Sequence, residues 1–323
     1  MKRALPSVLL WLAATAACAA PVADPAPAAP AQPPDYRLAP REIAAGVWLL
    51  EGANADFAPA NGCNIINTAF IDTGDGVVVI NTGPSREYGA QQRRAIAAVT
   101  GAPVRLVLNL NQHPDYFFGN QAYADVGASA LPGTIDGARR EAAAYADNLY
   151  RLCGDWMRGT EPAPPVHALA PGPRRLGRRT LELIRLEGHT DADLVLLDRG
   201  AGVVFAGGLV FRQRIPTTPH AHIGRWLDSL ARLQALMEQS GARVLVPSHG
   251  PALGGAEAIA QTRAYLQWLD TRLREAAVQG RDLAEVMAMP VPEPFAHWGA
   301  MPAEYLRNVT HLYPAHEEAA LGQ

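Results

Sequence analysis

Lysine is all but missing from this sequence. Of 28 basic residues only Lys2 is a lysine; the others are arginines, which reads as a bias of the coding sequence and carries no functional signal. A surplus of positive charge is missing too, since 31 acidic residues leave a formal net charge of −3. That balance excludes nucleic acid or an anionic membrane surface as the main partner, because both call for a basic face. No apolar run of membrane-spanning length opens the chain: Leu5 to Ala17 is apolar but too short to cross a bilayer as a helix. Cysteine is scarce, with three residues in 323, so a disulfide-dense scaffold is excluded.

What is present at the N-terminus points outward from the cytoplasm. Lys2 and Arg3 precede the apolar run, and small residues follow to Ala20. A basic start, a short apolar stretch and an Ala-x-Ala-like end describe a secretory signal over residues 1–20 and a periplasmic destination. Ala17-Cys18-Ala19 permits ordinary cleavage. Thr15-Ala16-Ala17-Cys18 also resembles a lipobox, and the membrane is a partner only if Cys18 carries lipid. Residues 21–36 are an Ala/Pro-rich tether that cannot build a core. Residues 37–323 form the folded part, ending in a helical extension, and 49% apolar composition allows a sizeable core. Cys63 and Cys153 remain after the signal. In an oxidising compartment they pair as one disulfide, or else stand as two buried thiols.

Patterning along the chain alternates strands and helices. Ile43–Leu50 reads as a first strand. Asn64–Asp72 and Val77–Asn81 flank Thr73-Gly74-Asp75-Gly76, a hairpin signal. Ser85 can cap a helix running to Val99. Val104–Leu110 has the pattern of a buried strand, and a helix is expected over 135–157. Strands follow near 181–187, 193–198, 203–206 and 244–246, with helices at 223–239 and 256–278. Strand-rich stretches followed by helices occur in each half, which fits an α/β fold of two packed sheets covered by helices, an αββα sandwich.

Three apolar strands each end in a loop carrying a histidine: His113, His189 and His249. Strand ends are where functional loops converge in layered α/β folds. His113-Pro114-Asp115 adds a carboxylate two residues from an imidazole, and both groups suit zinc, which keeps an open position when it is catalytic. A metal-bound water there would attack an ester, lactone, thioester or amide carbonyl.

These segments resemble the metallo-β-lactamase superfamily. Asn111-Gln112-His113-Pro114-Asp115-Tyr116, followed by Gly119-Asn120, is similar to that family's His-x-His-x-Asp-His and Gly-Asn. Gly188-His189-Thr190, Val203 to Leu209 and Ser248-His249-Gly250 resemble its later motifs, and Val77–Gly83 its early Asp-Thr-Gly strand. Arg214-Ile215-Pro216, Gly224-Arg225-Trp226-Leu227 and Arg307-Asn308-Val309-Thr310 look like the SoxH-related quinoprotein relay system zinc metallohydrolases. That resemblance implies a small-molecule substrate or ligand and a periplasmic quinoprotein partner of PQQ-dependent dehydrogenase systems.

The carried-over ligand positions are Asn111, His113 and His189 for one metal, and Asp115, Tyr116, Gly208 and His249 for the other. Asn111, Tyr116 and Gly208 stand where the family has His, His and Asp, and Asn81 replaces an early aspartate. Loss of the bridging carboxylate at Gly208 makes a metal pair unfavourable, since two close cations need anionic compensation. The expected metal set is therefore His113, Asp115, His189 and His249, with His220 from Pro219-His220-Ala221-His222 as a replacement ligand. They hold at most one zinc. Asp115 and Tyr116 are the residues expected to act on substrate. The alternative expectation is a catalytically silent, metal-poor accessory protein on the same fold. His167, His297, His311 and His316 read as structural or exposed, and the Asn308-Val309-Thr310 sequon as chance.

Overall fold

The computed structural model describes residues 34–252 and 254–322. The signal segment, Cys18 and most of the tether lie outside the described residues. Two sheets form the centre. The first takes its strands in chain order: β1 (Arg41–Ala44), β2 (Val47–Leu50), β3 (Thr68–Asp72), β4 (Val77–Ile80), β5 (Val104–Leu108), β6 (Ala128–Ala130) and β7 (His167–Ala168). Neighbours from β1 to β4 are antiparallel and those from β4 to β7 parallel. The second sheet comprises β8 (Gly172–Leu176), β9 (Arg179–Leu186), β10 (Asp193–Asp198), β11 (Val203–Phe205) and β12 (Val244–Val246), ordered β12-β11-β10-β9-β8. Helices are α1 (Arg86–Val99), α2 (Pro114–Phe117), α3 (Pro132–Cys153), α4 (Ile223–Ser240), α5 (Ala256–Val278), α6 (Leu283–Met287) and α7 (Ala303–Leu321).

The period-two alternation of strand side chains builds the layers. Leu194 and Leu196 of β10 face inward and join Ile71, Val78, Ile80 and Leu108 of the first sheet in one core between the sheets. Val195 and Leu197, on the opposite face, pack with Trp226, Leu230 and Leu233 of α4 and with Leu266, Leu269 and Leu273 of α5. On the outer face of the first sheet, Phe70, Val79 and Val107 meet Ile96 of α1. Helix, sheet, sheet, helix is the αββα sandwich expected from the sequence. One expected strand differs. Residues 43–50 split into β1 and β2, a tight antiparallel hairpin, because Gly46 adopts φ of 68° and reverses the chain. The hairpin at Thr73–Gly76 and the Ser85 cap are as expected, with Ser85 Oγ accepting from Tyr88 N.

Cys63 and Cys153 are disulfide-bonded across 90 residues. The bond joins the loop before β3 to the end of α3, and both segments wall the cavity described below. Closing so long a loop restricts the unfolded chain, an effect of about 3–4 kcal/mol. The double variant Cys63→Ser/Cys153→Ser should melt roughly 5–10 °C lower than the parent. A calorimetric scan showing an unchanged midpoint would contradict this.

Candidate active-site cleft

Loops following β5, β9 and β12 deliver His113, His189 and His249 to one region, as the strand-then-histidine pattern indicated. His113 and Pro114 start α2, so Asp115 sits in its first turn. Asn81, at φ of 57°, ends β4, and its Oδ1 accepts from Leu110 N, pinning the strand end beneath the His113 loop. Asn109 Nδ2 donates to Tyr116 O, and Asn120 Nδ2 to Asn109 Oδ1, so the Asn120 of the Gly-Asn pair holds that loop in shape. Gly188 adopts φ of 128°, and a Cβ there would lie 2.3 Å from the Trp226 backbone. Glycine thus lets the His189 turn press against the start of α4.

The imidazoles form two groups. The rings of His113 and His189 stand 4.6 Å apart and nearly perpendicular, and His220 lies 5.5 Å from His113. His249 Nε2 lies 3.5 Å from Asp115 Oδ2. His249 Nδ1 is 2.9 Å from the Ile65 carbonyl, which can only accept, so Nδ1 carries the hydrogen and Nε2 faces Asp115 with its lone pair. Burial, with the field of Arg214, pushes His249 well below the usual histidine range. Burial lowers His113 in the same way, helped by neighbouring histidines. Burial raises Asp115 to about 7 against the opposing pull of Arg214. Below pH 7 the pair is therefore a neutral carboxylic acid facing a neutral imidazole at 3.5 Å, and not an ion pair.

Beside these groups lies a cavity of about 340 Å³. His113, Asp115 and His249 line it, together with Thr217, Phe57 and Leu152. Three further linings, Glu304, Arg307 and His311, come from α7. Behind the wall the Arg214 guanidinium is fully buried, with Nε donating to Ala55 O, Nη1 to Ile215 O, and Nη2 3.9 Å from Glu304. Glu304 and Asp56 also bind Arg307, at 2.7 and 2.9 Å.

The Metallo-beta-lactamase superfamily profile matches residues 61–249, more than half of the chain. The chain belongs to the metallo-β-lactamase superfamily. Solved structures agree on the fold. A metallo-beta-lactamase from Pontibacter korlensis aligns with a TM-score of 0.56 at 23% identity, over 71% of this chain and 99% of its own. The FIM-1 metallo-beta-lactamase of Pseudomonas aeruginosa, solved in a mono-zinc form, aligns with a TM-score of 0.56 at 18% identity, over 72% and 95%. No curated protein matches the chain in sequence.

The superfamily's zinc pair does not fit the residues present. Among the described residues no three His, Cys, Asp or Glu side chains come together as a metal-binding group. The candidate donors fall into two pairs, His113 with His189 and Asp115 with His249. His189 is engaged at both nitrogens: Nδ1 lies 3.4 Å from Asp193 Oδ1 and Nε2 3.2 Å from Thr217 Oγ1. A Cβ on Gly208, where the family carries its bridging carboxylate, would lie 2.0 Å from His189 Nδ1. The imidazole occupies the space that carboxylate needs. Asn111 is likewise committed, its Nδ2 donating to Asp193 Oδ1 at 2.6 Å and to Thr190 Oγ1 at 3.1 Å.

Of the expected site residues, Tyr116 is fully buried in the core between the sheets, with its ring 6.5 Å from that of His113 and 6.1 Å from that of His249, and it is not among the residues lining the cavity. His220 joins the cluster and meets Tyr145 Oη at 3.2 Å. His311, read as structural or exposed, lines the cavity. Arg214 and Arg307 lay in segments noticed only as subfamily likenesses, and Thr217 gave no signal at all. Asn308 of the sequon is buried, donating to Pro216 O and Tyr265 Oη, so no glycan reaches it in the fold.

Proposed function

We propose that this is an exported, periplasmic accessory protein whose cleft binds a small molecule without the superfamily's two-metal centre. By its resemblance to the quinoprotein relay metallohydrolases, it serves a PQQ-dependent dehydrogenase system. The engagement of both His189 nitrogens, with Gly208 giving way to the ring, carries the reading. A mixed cavity wall of neutral imidazoles, apolar side chains and one compensated charge cluster suits a compact ligand with a few polar groups. The experiment is metal analysis of periplasmic protein purified without chelator, paired with export tests of the first 20 residues. The reading expects well under one zinc or iron per chain and loss of residues 1–20 on export. One equivalent of tightly held metal would reverse it.

One observation favours a second reading, a single zinc on His113, Asp115 and His249, with hydrolysis of a carbonyl substrate. His113 Nε2 and Asp115 Oδ2 are buried without hydrogen-bond partners, and such atoms are costly unless something pairs with them. The same metal analysis decides between the two.

A further inference from the structure

We propose that Thr217, His189 and Asp193 form an acyl-transfer relay on the cavity wall, acting on an ester or thioester without metal. This rests on the reading that the metal pair is not rebuilt here. Three observations carry it. First, the three groups are hydrogen-bonded in series: Thr217 Oγ1 to His189 Nε2 at 3.2 Å, and His189 Nδ1 to Asp193 Oδ1 at 3.4 Å. This is the nucleophile, base and orienting carboxylate order that activates a hydroxyl. Second, Thr217 lines the cavity and is only partly buried, whereas His189 and Asp193 are fully buried. The nucleophile faces the ligand and its partners are shielded from water. Third, the residues that depart from the superfamily pattern serve this arrangement. Gly208 leaves room for the His189 ring. Asn111 Nδ2 donates to Asp193 Oδ1 and Thr190 Oγ1 and lies 3.3 Å from His189 Nδ1, and Thr190 N donates to Asp193 Oδ2 at 2.9 Å.

The relay uses the His189 tautomer with its hydrogen on Nδ1, toward Asp193 Oδ1. Nε2 then accepts from the Thr217 hydroxyl. In the forward step Thr217 Oγ1 bonds to the carbonyl carbon while its proton passes to His189 Nε2. The carbon–oxygen or carbon–sulfur bond to the leaving group breaks, and that group takes the proton from His189. Water then gives a proton to His189 and bonds to the acyl carbon. Thr217 Oγ1 departs and recovers its proton, and a free acid results. The His113 ring stands 4.6 Å from His189 and lines the same cavity with Nε2 unbonded. As the Nε2–H tautomer it donates to the carbonyl oxygen as negative charge builds there. Thr217 and His189 are thus the catalytic residues, and Asp193 and Asn111 position them.

The test uses the exported full domain with excess chelator and p-nitrophenyl acetate as probe. The expected result is hydrolysis above the solvent rate, with acid-quenched protein carrying an acetyl group on Thr217 by peptide mass spectrometry. Thr217→Ala should lower the rate by about 100-fold or more, while Thr217→Ser keeps both rate and label. Asp193→Asn should lower kcat with KM unchanged, a split that a purely structural role would not produce. Thr217 is only partly buried, so its alanine variant should melt close to the parent, and a melting curve checks this. Hydrolysis by Thr217→Ala at the parent rate, acetylation only elsewhere, or no hydrolysis at all would overturn the relay. Activity that disappears with chelator and returns with zinc would instead overturn the metal-free reading beneath it.

Discussion

Restoring the superfamily's carboxylate by Gly208→Asp should destabilise the protein by more than about 3 kcal/mol and should not create a zinc site. The side chain would begin 2.0 Å from His189 Nδ1 and 2.5 Å from Cε1, in a fully packed region. His189 would have to leave, breaking its contacts with Asp193 and Thr217. The new carboxylate would then be buried near Asp193, where two like charges cannot both ionise cheaply. Gly208→Ala separates the two causes, since it keeps the overlap without the charge, and about 1–3 kcal/mol is expected. Urea unfolding and zinc titration by calorimetry report both quantities. A Gly208→Asp protein that keeps its parent stability and takes up zinc stoichiometrically would show that the ancestral geometry is still available.

Asp115→Asn should flatten the pH dependence of stability between about pH 4 and 7 in chelator-treated protein. In the fold the Asp115 carboxyl titrates at about 7 because it is buried, and in the unfolded chain near 4. The folded state therefore binds the proton more tightly. Its contribution is fully present below pH 4, declines as pH rises, and is gone above pH 7. Three pH units at 1.36 kcal/mol each set a ceiling of about 4 kcal/mol. Asparagine cannot ionise, so it places no charge in the buried site at any pH. The variant should thus match the parent near pH 4 and exceed it at pH 8. Parallel stability curves for the two proteins across this range would show that Asp115 is not the group responsible.

The fold was largely legible because burial leaves a periodic trace. α4 carries that trace along its Trp226, Leu230 and Leu233 face, and the Thr73–Gly76 turn announces its own hairpin. The His113, His189 and His249 loops were legible for the same reason, since each follows an apolar strand. β1 and β2 merged into one expected strand because Gly46 is a conformational signal with no periodic counterpart. Missing ligands at Asn111 and Gly208 could be read as losses. What they had become could not, because the Asn111–Asp193 bond and the His189–Gly208 approach depend on how distant loops are set in space. Thr217 illustrates the limit: nothing in its neighbours marks it, and only the position of His189 gives its hydroxyl a partner. Tyr116 shows the converse, a motif position whose full enclosure by the core could not be read from its neighbours in sequence.

The superfamily match ends at residue 249, yet Glu304, Arg307 and His311 on α7 complete the cavity wall. What the cleft admits is therefore decided in part by α7, outside the matched residues. A change in ligand preference among relatives is to be sought first in the α7 sequence.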